Sequence, residues 1–497
     1  MDSAMKILWE QVHNVASSSR FAVERSEEGR ILSVGDGIVQ VGGLRDARLN
    51  ELIELGCGGQ GIIFDLHPDT IGVVLLKNGE NLKAGDGARK TGRIASIEVG
   101  EQLLGRIVDA LGQPLDGQGA PEGLKSYPID RTAPPLIARD FVSKSLATGI
   151  KIIDAMLALG RGQRELIIGD PGTGKTSLAL DTLINQKHSD VTSIYVSIGQ
   201  KMARILRVKE QIDKYGAPGK TIIVVADAAD SLGLQYIAPY SATAIAEYFL
   251  DRGQDVLIIY DDLSRHADAY RSLSLLLKRA PGREAYPGDI FFIHSRLLER
   301  SVQLHETYGG GSITALPIVE TQQGRISSYI PTNLISITDG QIYLDASLFN
   351  KGIRPAVDVG RSVSRIGGKA QSEAMQVVAE HLKIDYSRFL EVEMFTRFGA
   401  RVEEETAKLI RRGERMREVF KQPRFHPMPI ADQILTLLIL EAGGVDHCDL
   451  PEITSCCQGL LVDIKEQFPQ VLKSLDIEGR VNQSDMQRLK EFIARTG

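Results

Sequence analysis

Residues Gly169 to Thr176 read Gly-Asp-Pro-Gly-Thr-Gly-Lys-Thr and satisfy every fixed position of G-x-x-x-x-G-K-[ST]. Residue types in this order suit triphosphate chemistry. Glycines at 169, 172 and 174 let successive N–H groups turn inward without a Cβ in the way, and a following helix adds the positive end of its dipole. Asp170, Pro171 and Thr173 complete the loop; Pro171 contributes no N–H and fixes its own φ. Lys175 is placed to reach the outer phosphates, and the Thr176 hydroxyl to ligate Mg²⁺. A second candidate is Asp261, which closes the apolar run Asp255–Asp262 (DVLIIYDD). An aspartate ending a buried parallel strand lies at the sheet's carboxyl edge, where it can hold Mg²⁺, with Asp262 capping or pairing nearby. Gln200 ends a third run, SIYVSIGQ. In-line attack by water on a phosphoryl group needs a partner that orients and polarises it, and a neutral amide does this poorly where a carboxylate would serve. A nucleoside triphosphate with Mg²⁺ is therefore the expected ligand, held at a site of weak hydrolytic power.

These residues need a particular frame. RELIIGD (164–170) predicts a strand entering the loop, and SLALDTLINQ (177–186) a helix leaving it. SIYVSIG, KTIIVVADA, DVLIIYDD and GDIFFIH supply further predicted strands that alternate with helical patterns, which is the signature of a mostly parallel α/β sheet over 98–368. Before it, residues 23–97 show short apolar runs punctuated by Asp-Gly, Asn-Gly and Gly-Gly, the pattern of a small antiparallel β-barrel. Residues 1–22 predict a short amphipathic helix. From 369 to 497 strand signals stop and 3.6-residue periodicity predicts an α-helical bundle.

The chain has 497 residues, 43% of them hydrophobic, and a net charge of −6. That length accommodates about three domains. No stretch approaches the roughly 20 apolar residues a membrane span requires, and neither a secretory nor a transit signal is visible at the N-terminus. The acidic balance argues against a nucleic-acid footprint. Cys57, Cys448, Cys456 and Cys457 lack metal-ligand spacing; they are expected to be reduced, with Cys456 and Cys457 acting as small buried hydrophobes. The histidines are scattered singly and suggest no metal site.

Longer segments carry a resemblance. Leu103–Gly117, GLQYIAPYSATA, Leu277–Arg300, Ser327–Leu344 and Phe349–Gly368 are similar to the F-type ATP synthase alpha subunit family, from about Gly29 to the C-terminal helices. The resemblance implies a barrel, a central RecA-like nucleotide domain and a helical domain in that order. It implies a largely non-catalytic, ATP-binding role in a rotary ATPase that couples ATP synthesis or hydrolysis to ion transport. Its partners would be beta subunits in an alternating alpha3beta3 ring, a central-stalk gamma subunit, a peripheral stalk (delta/b) and, indirectly, the membrane sector. The implied place is the cytoplasmic face of a bacterial inner membrane. Beta chains of the family carry glutamate at the position of Gln200; this chain follows the alpha pattern. Arg365, in SVSRIGG, resembles the family's arginine finger, which reaches a neighbouring beta site, with Ser362 and Ser364 supporting its loop. Phe349, Arg354 and Gln422 match positions lining the adenine pocket. Two departures stand out: Pro171-Gly172 where alpha chains usually have Arg-Gln, and Arg424 where they have a second glutamine. With the short N-terminus, these suggest an atypical branch, such as the alternative, sodium-pumping bacterial set. Two other readings remain open at this level: a self-sufficient hexameric ATPase of the secretion type, and a Rho-like RNA translocase.

Overall fold

A computed structural model describes residues 28–396 and 404–496. The predicted helix over 1–22 lies outside the described residues. The chain separates into two compact units, divided between Ile94 and Ala95.

In the first unit, strands β1 (Glu28–Gly35), β2 (Ile38–Gly42), β3 (Glu51–Leu55), β4 (Gly59–Leu66), β5 (Thr70–Lys77) and β6 (Gly87–Ile94) close a barrel in the order β1-β2-β5-β4-β3-β6. All of its ladders are antiparallel. Val39, Val41, Ile53, Ile63 and Val73 fill the interior at 0–1% exposure, as alternation along each strand demands. Asp36 and Gly37, both at positive φ, make the β1–β2 turn, the conformation that Asp-Gly favours.

The second unit is built on a nine-stranded sheet. Its main path runs through β7 (Ile107–Asp109), β8 (Glu165–Gly169), β9 (Thr192–Gln200), β10 (Thr221–Asp227), β11 (Asp255–Asp261), β12 (Ser312–Glu320), β13 (Gly340–Leu344) and β14 (Val363–Ser364). The spatial order is β14-β13-β8-β12-β11-β9-β10-β7, with a two-residue strand, Val302–Gln303, beside β12. Pairing along the path is parallel from β13 to β7 and antiparallel only at the β14 edge. Helices covering both faces explain why these strands read as continuous apolar runs. After Gly368 the described residues form helices, from Glu373–Thr396 to Gln483–Thr496. Leu437, Leu438 and Ile439 of the helix Ile430–Glu441 are fully buried in a core cluster that also contains Ile167 and Ile342 of the sheet.

Two expectations are corrected. GDIFFIH is not a strand: Ile290–Leu298 is a helix. Ile290, His294, Leu297 and Leu298 are buried while Phe291 and Phe292 are exposed, so the run has a helical period once SRLL extends it; a short apolar run alone cannot reveal this. The sheet position beside Asp261's strand goes instead to β12. Second, Cys448 and Cys456 are paired in a disulfide, with Cα atoms 7.1 Å apart. The turn after Ile430–Glu441 brings Cys448 beside the first turn of the helix Ile453–Gln467, a juxtaposition their eight-residue separation does not announce. Cys457 does behave as a buried hydrophobe, its thiol pushed up to about 11 by burial.

Candidate nucleotide site

Four neighbouring strands, β8, β12, β11 and β9, end side by side. Their last residues are Gly169, Glu320, Asp261 and Gln200, and the loop that follows Gly169 leads into the helix Lys175–Asn185. A parallel sheet places these carboxyl ends along one edge, where ligands of open α/β sheets bind. Gly172 (φ 79°) and Gly174 (φ 101°) adopt left-handed backbone, and a Cβ added at either would meet nothing within 4 Å. The loop is thus an open cradle of backbone N–H groups at a helix start.

Each predicted loop residue has a definable part. The Asp170 carboxylate faces away from the cradle, accepting from Thr321 Oγ1 at 2.7 Å and from the Gly324 amide at 2.9 Å. It ties the loop to the segment after β12. Thr173 is buried and donates through Oγ1 to the Asp170 carbonyl at 2.8 Å. Pro171 and Gly172 are exposed on the loop's outer turn. Lys175 is buried; its Nζ donates to the Gly169 and Asp170 carbonyls, both at 2.9 Å, and lies 3.6 Å from Glu320 Oε1. Burial lowers its pKa, and Glu320, Asp262 and Asp261 oppose that shift. The ammonium is therefore fixed at the loop's centre.

Asp261 is the hub of the site. Its Oδ2 accepts from Thr176 Oγ1 and from the Tyr195 hydroxyl, both at 2.7 Å, and its Oδ1 accepts from Gln200 Nε2 at 3.2 Å. The Arg204 guanidinium donates to Thr176 Oγ1 at 2.6 Å and stands 3.6 Å from Asp261 Oδ2. A cationic group thus sits on the very oxygen pair singled out for Mg²⁺. Asp262 caps the helix Leu263–Leu276 by accepting from the Arg265 amide at 2.8 Å. Burial, with the Asp261 charge adding to it, pushes the Asp262 carboxyl up to about 7.

Beside the loop, a cavity of about 490 Å³ is lined by Gly172, Thr173 and Gly174 at one end and by Phe349, Arg354, Gln422 and Arg424 further along. Ile150, Leu178, Leu344 and Pro355 supply apolar walls. The Arg354 guanidinium lies 4.5 Å from the Phe349 ring centroid, a cation–π pair that holds both side chains at the rim. The Gln422 amide is turned inward. Its Nε2 donates to the Gly149 and His426 carbonyls at 2.7 and 2.8 Å, and its Oε1 accepts from the Lys151 amide at 3.2 Å. Gln422 therefore braces the wall as much as it lines it.

The structure does not bring Arg365, Ser362 and Ser364 to this loop. Ser364 pairs with Gly340, and Gly340 pairs with Glu165 at the amino end of β8, whereas the phosphate loop follows Gly169 at the carboxyl end. Four strand rises, roughly 13 Å, separate the two ends, and two strand spacings across the sheet bring the distance to roughly 16 Å. Ser362 Oγ donates to the Asp358 carbonyl at 2.6 Å and accepts from the Tyr343 amide at 2.9 Å. Ser364 Oγ donates to the Ala158 carbonyl at 2.8 Å and accepts from Gln163 Nε2 at 3.2 Å. Both hydroxyls pin the segment, and Arg365 beyond them is exposed.

Sequence reasoning missed Tyr195, Arg204, Glu320 and Asp181. Glu320 had a signal, since it ends the apolar run SITALPIVE. The other three reach the site only through helix and strand packing.

Comparison with known proteins agrees with this geometry. Residues 149–364 match the ATP synthase alpha/beta family, nucleotide-binding domain, and residues 371–496 match the ATP synthase alpha/beta chain, C terminal domain. The chain is 49% identical over 473 residues to the ATP synthase subunit alpha of Caldanaerobacter subterraneus, covering 95% of this chain and 94% of that protein. It is 47% identical over 500 residues to the ATP synthase subunit alpha of Petrotoga mobilis (99% and 98% covered). It is 53% identical over 418 residues to ATP synthase subunit alpha 1 of Paraburkholderia xenovorans (84% and 82%). Matched by both models over most of its length, and by relatives 47–53% identical along 84–99% of the chain, this chain belongs to the ATP synthase alpha/beta family.

Proposed function

We propose that this chain is the regulatory, largely non-catalytic ATP-binding subunit of a rotary ATP synthase. In this reading it alternates with beta subunits in a ring around a gamma stalk, is held by a delta/b peripheral stalk, and serves an ion-transporting membrane sector indirectly. No described helix is long and apolar enough to cross a membrane, and the proposed location is peripheral, on the cytoplasmic face of a bacterial inner membrane.

The observation that carries the reading is Gln200. It stands at the carboxyl end of β9 with its amide donating to Asp261. An amide spent in this way is a poor group for orienting water and cannot take its proton. ATP or ADP would lie with its phosphates on the loop 169–176 and its base in the adjoining cavity. Mg²⁺ fits the donor set of Thr176 and Asp261: hard oxygen ligands, one of them a carboxylate, with phosphate and water oxygens completing the shell. The metal's contribution is charge neutralisation at the phosphates. Lys175 would supply a second positive charge, and Arg204, which donates to Thr176 Oγ1, faces the same oxygens.

Arg365 is proposed to act on the neighbouring subunit's site, which its separation from the chain's own loop supports. The test is turnover by the purified, beta-free chain saturated with Mg-ATP. The expected rate is far below roughly 1 s⁻¹, the lower end for ordinary enzymes. A beta-free preparation turning over several times per second, with activity lost in Lys175→Ala, would overturn the non-catalytic assignment.

A further inference from the structure

We propose that Arg204 is a resident cation at the Mg²⁺ position of this chain's nucleotide site, so that the site takes a nucleoside triphosphate with little dependence on the metal. The proposal rests on the nucleotide-site reading above and concerns a residue that sequence reasoning missed. Arg204 lies in the first turn of the helix Met202–Tyr215, which starts just after Gln200 ends β9. Its amide donates to the Lys201 carbonyl at 2.8 Å, so the backbone is committed to the helix and only the side chain reaches back to the site. A cation in the first turn of a helix opposes the helix dipole, and that turn holds no acidic residue to offset it. Local structure therefore gives no reason for an arginine here. The buried carboxylate of Asp261 does.

Thr176 Oγ1 accepts from Arg204 Nη2 at 2.6 Å while donating to Asp261 Oδ2 at 2.7 Å. The same Nη2 stands 3.6 Å from Asp261 Oδ2, on a side chain only 1% exposed. Oδ2 also accepts from the Tyr195 hydroxyl, and Oδ1 from Gln200 Nε2. The hydroxyl and both carboxylate oxygens thus already face donors, and the carboxylate's charge is answered by a guanidinium. Where no protein cation stands beside such a carboxylate, a metal ion is needed to offset its repulsion of the phosphates. Here Arg204 can do so, being permanently charged, rich in N–H donors and suited by its planar fork to phosphate oxygens. Its side chain is 45% exposed and so has room to shift toward a phosphate. With Lys175 held by the Gly169 and Asp170 carbonyls, the site offers two protein cations to a nucleotide that carries no metal. Arg204 and Mg²⁺ compete for one oxygen pair.

The test is equilibrium binding of ATP to the full chain by calorimetry, once with excess Mg²⁺ and once with a chelator. In wild type, which needs no variant to fold, the two affinities should agree within about tenfold. Arg204→Gln removes the charge at an exposed helix position. It should weaken metal-free ATP about tenfold or more, the scale of a lost hydrogen bond to a charged group, and leave Mg-ATP close to wild type. Arg204→Lys, which keeps the charge without the planar donors, should fall between them. Lys175→Ala is the control and should weaken ATP in both conditions. If it does so while wild type and Arg204→Gln depend equally on the metal, or while wild type itself loses far more than about tenfold with the chelator, the assignment of Arg204 is overturned and the phosphate site stands. If Lys175→Ala weakens ATP in neither condition, the nucleotide-site reading itself falls.

Discussion

Arg365→Ala separates the chain's own site from its neighbour's. Strand register puts this arginine roughly 16 Å from the phosphate loop of its own chain. Two unit charges at that distance interact by about 0.3 kcal/mol in water before screening. At physiological ionic strength, with a Debye length of about 8 Å, less than 0.1 kcal/mol remains. Removing the guanidinium should therefore change Mg-ATP affinity at the chain's own loop by less than about 1.6-fold. In the assembled complex the expectation is opposite. An arginine supplied in trans to a phosphoryl-transfer site contributes about 10³–10⁵-fold, or about 4–7 kcal/mol of barrier. The assay reconstitutes the complex with wild-type or Arg365→Ala chains and compares assembly, nucleotide occupancy and steady-state hydrolysis. Arg365→Lys should rescue little, since an ammonium lacks the planar set of donors. Normal assembly with more than about a third of wild-type hydrolysis would show Arg365 to be an ordinary surface charge, as would a loss confined to the chain's own nucleotide affinity.

Three further outcomes are expected. Lys175→Ala should weaken Mg-ATP binding about tenfold or more with the fold intact, because the ammonium now held by the Gly169 and Asp170 carbonyls gives charge-assisted contacts worth roughly 1.5–3 kcal/mol; equal affinity by calorimetry refutes it. His266 is fully buried against His294, 3.2 Å from Nδ1 to Nε2, and burial lowers its pKa to about 4. Its folded pKa lies below the ordinary value, so its contribution is intact above about 6.5 and is lost as pH falls toward 4, by about 2 kcal/mol between pH 6.5 and 5. Asp181 and Asp262, pushed up to about 7, act in the opposite sense, so the readout is the difference in melting temperature between wild type and His266→Gln, which should shrink as pH drops from 7.5 to 5. A difference that does not vary with pH contradicts the assignment. Arg300→Met should cost about 3–5 kcal/mol by stripping the buried Glu247 of its two short hydrogen bonds and leaving only Arg131 at 3.8 Å, since Arg300 Nε and Nη2 each donate to it at 2.8 Å with both side chains nearly inaccessible. Chemical denaturation showing a loss below about 1 kcal/mol would refute that.

The amino-acid order by itself determined whatever is local and periodic. The phosphate loop, its strand and its helix are contiguous, so glycine spacing and one apolar run disclose them before any long-range contact is known. Barrel strands announce themselves by alternation and Asp-Gly turns, and the C-terminal helices by their 3.6-residue period. Asp261 and Gln200 were legible because each ends an apolar run, and a parallel sheet collects such ends along one edge. Strand identity became unreadable where local preference conflicts with context. The run at Ile290 is helical because packing chose its period, while SITALPIVE is a central strand despite a proline, Pro317, that argues against one. Only the tertiary structure decided what meets across the fold: Arg204 resting on Thr176, the Cys448–Cys456 pairing, Gln422 bracing the segment at Gly149, and Asp181 facing the cavity next to Arg424. The distance of Arg365 from its own loop belongs here too, because it is set by the register of β14 on β13 and of β13 on β8. Such pairings are fixed by burial and hydrogen bonding summed over the whole domain, and no window of sequence contains that sum.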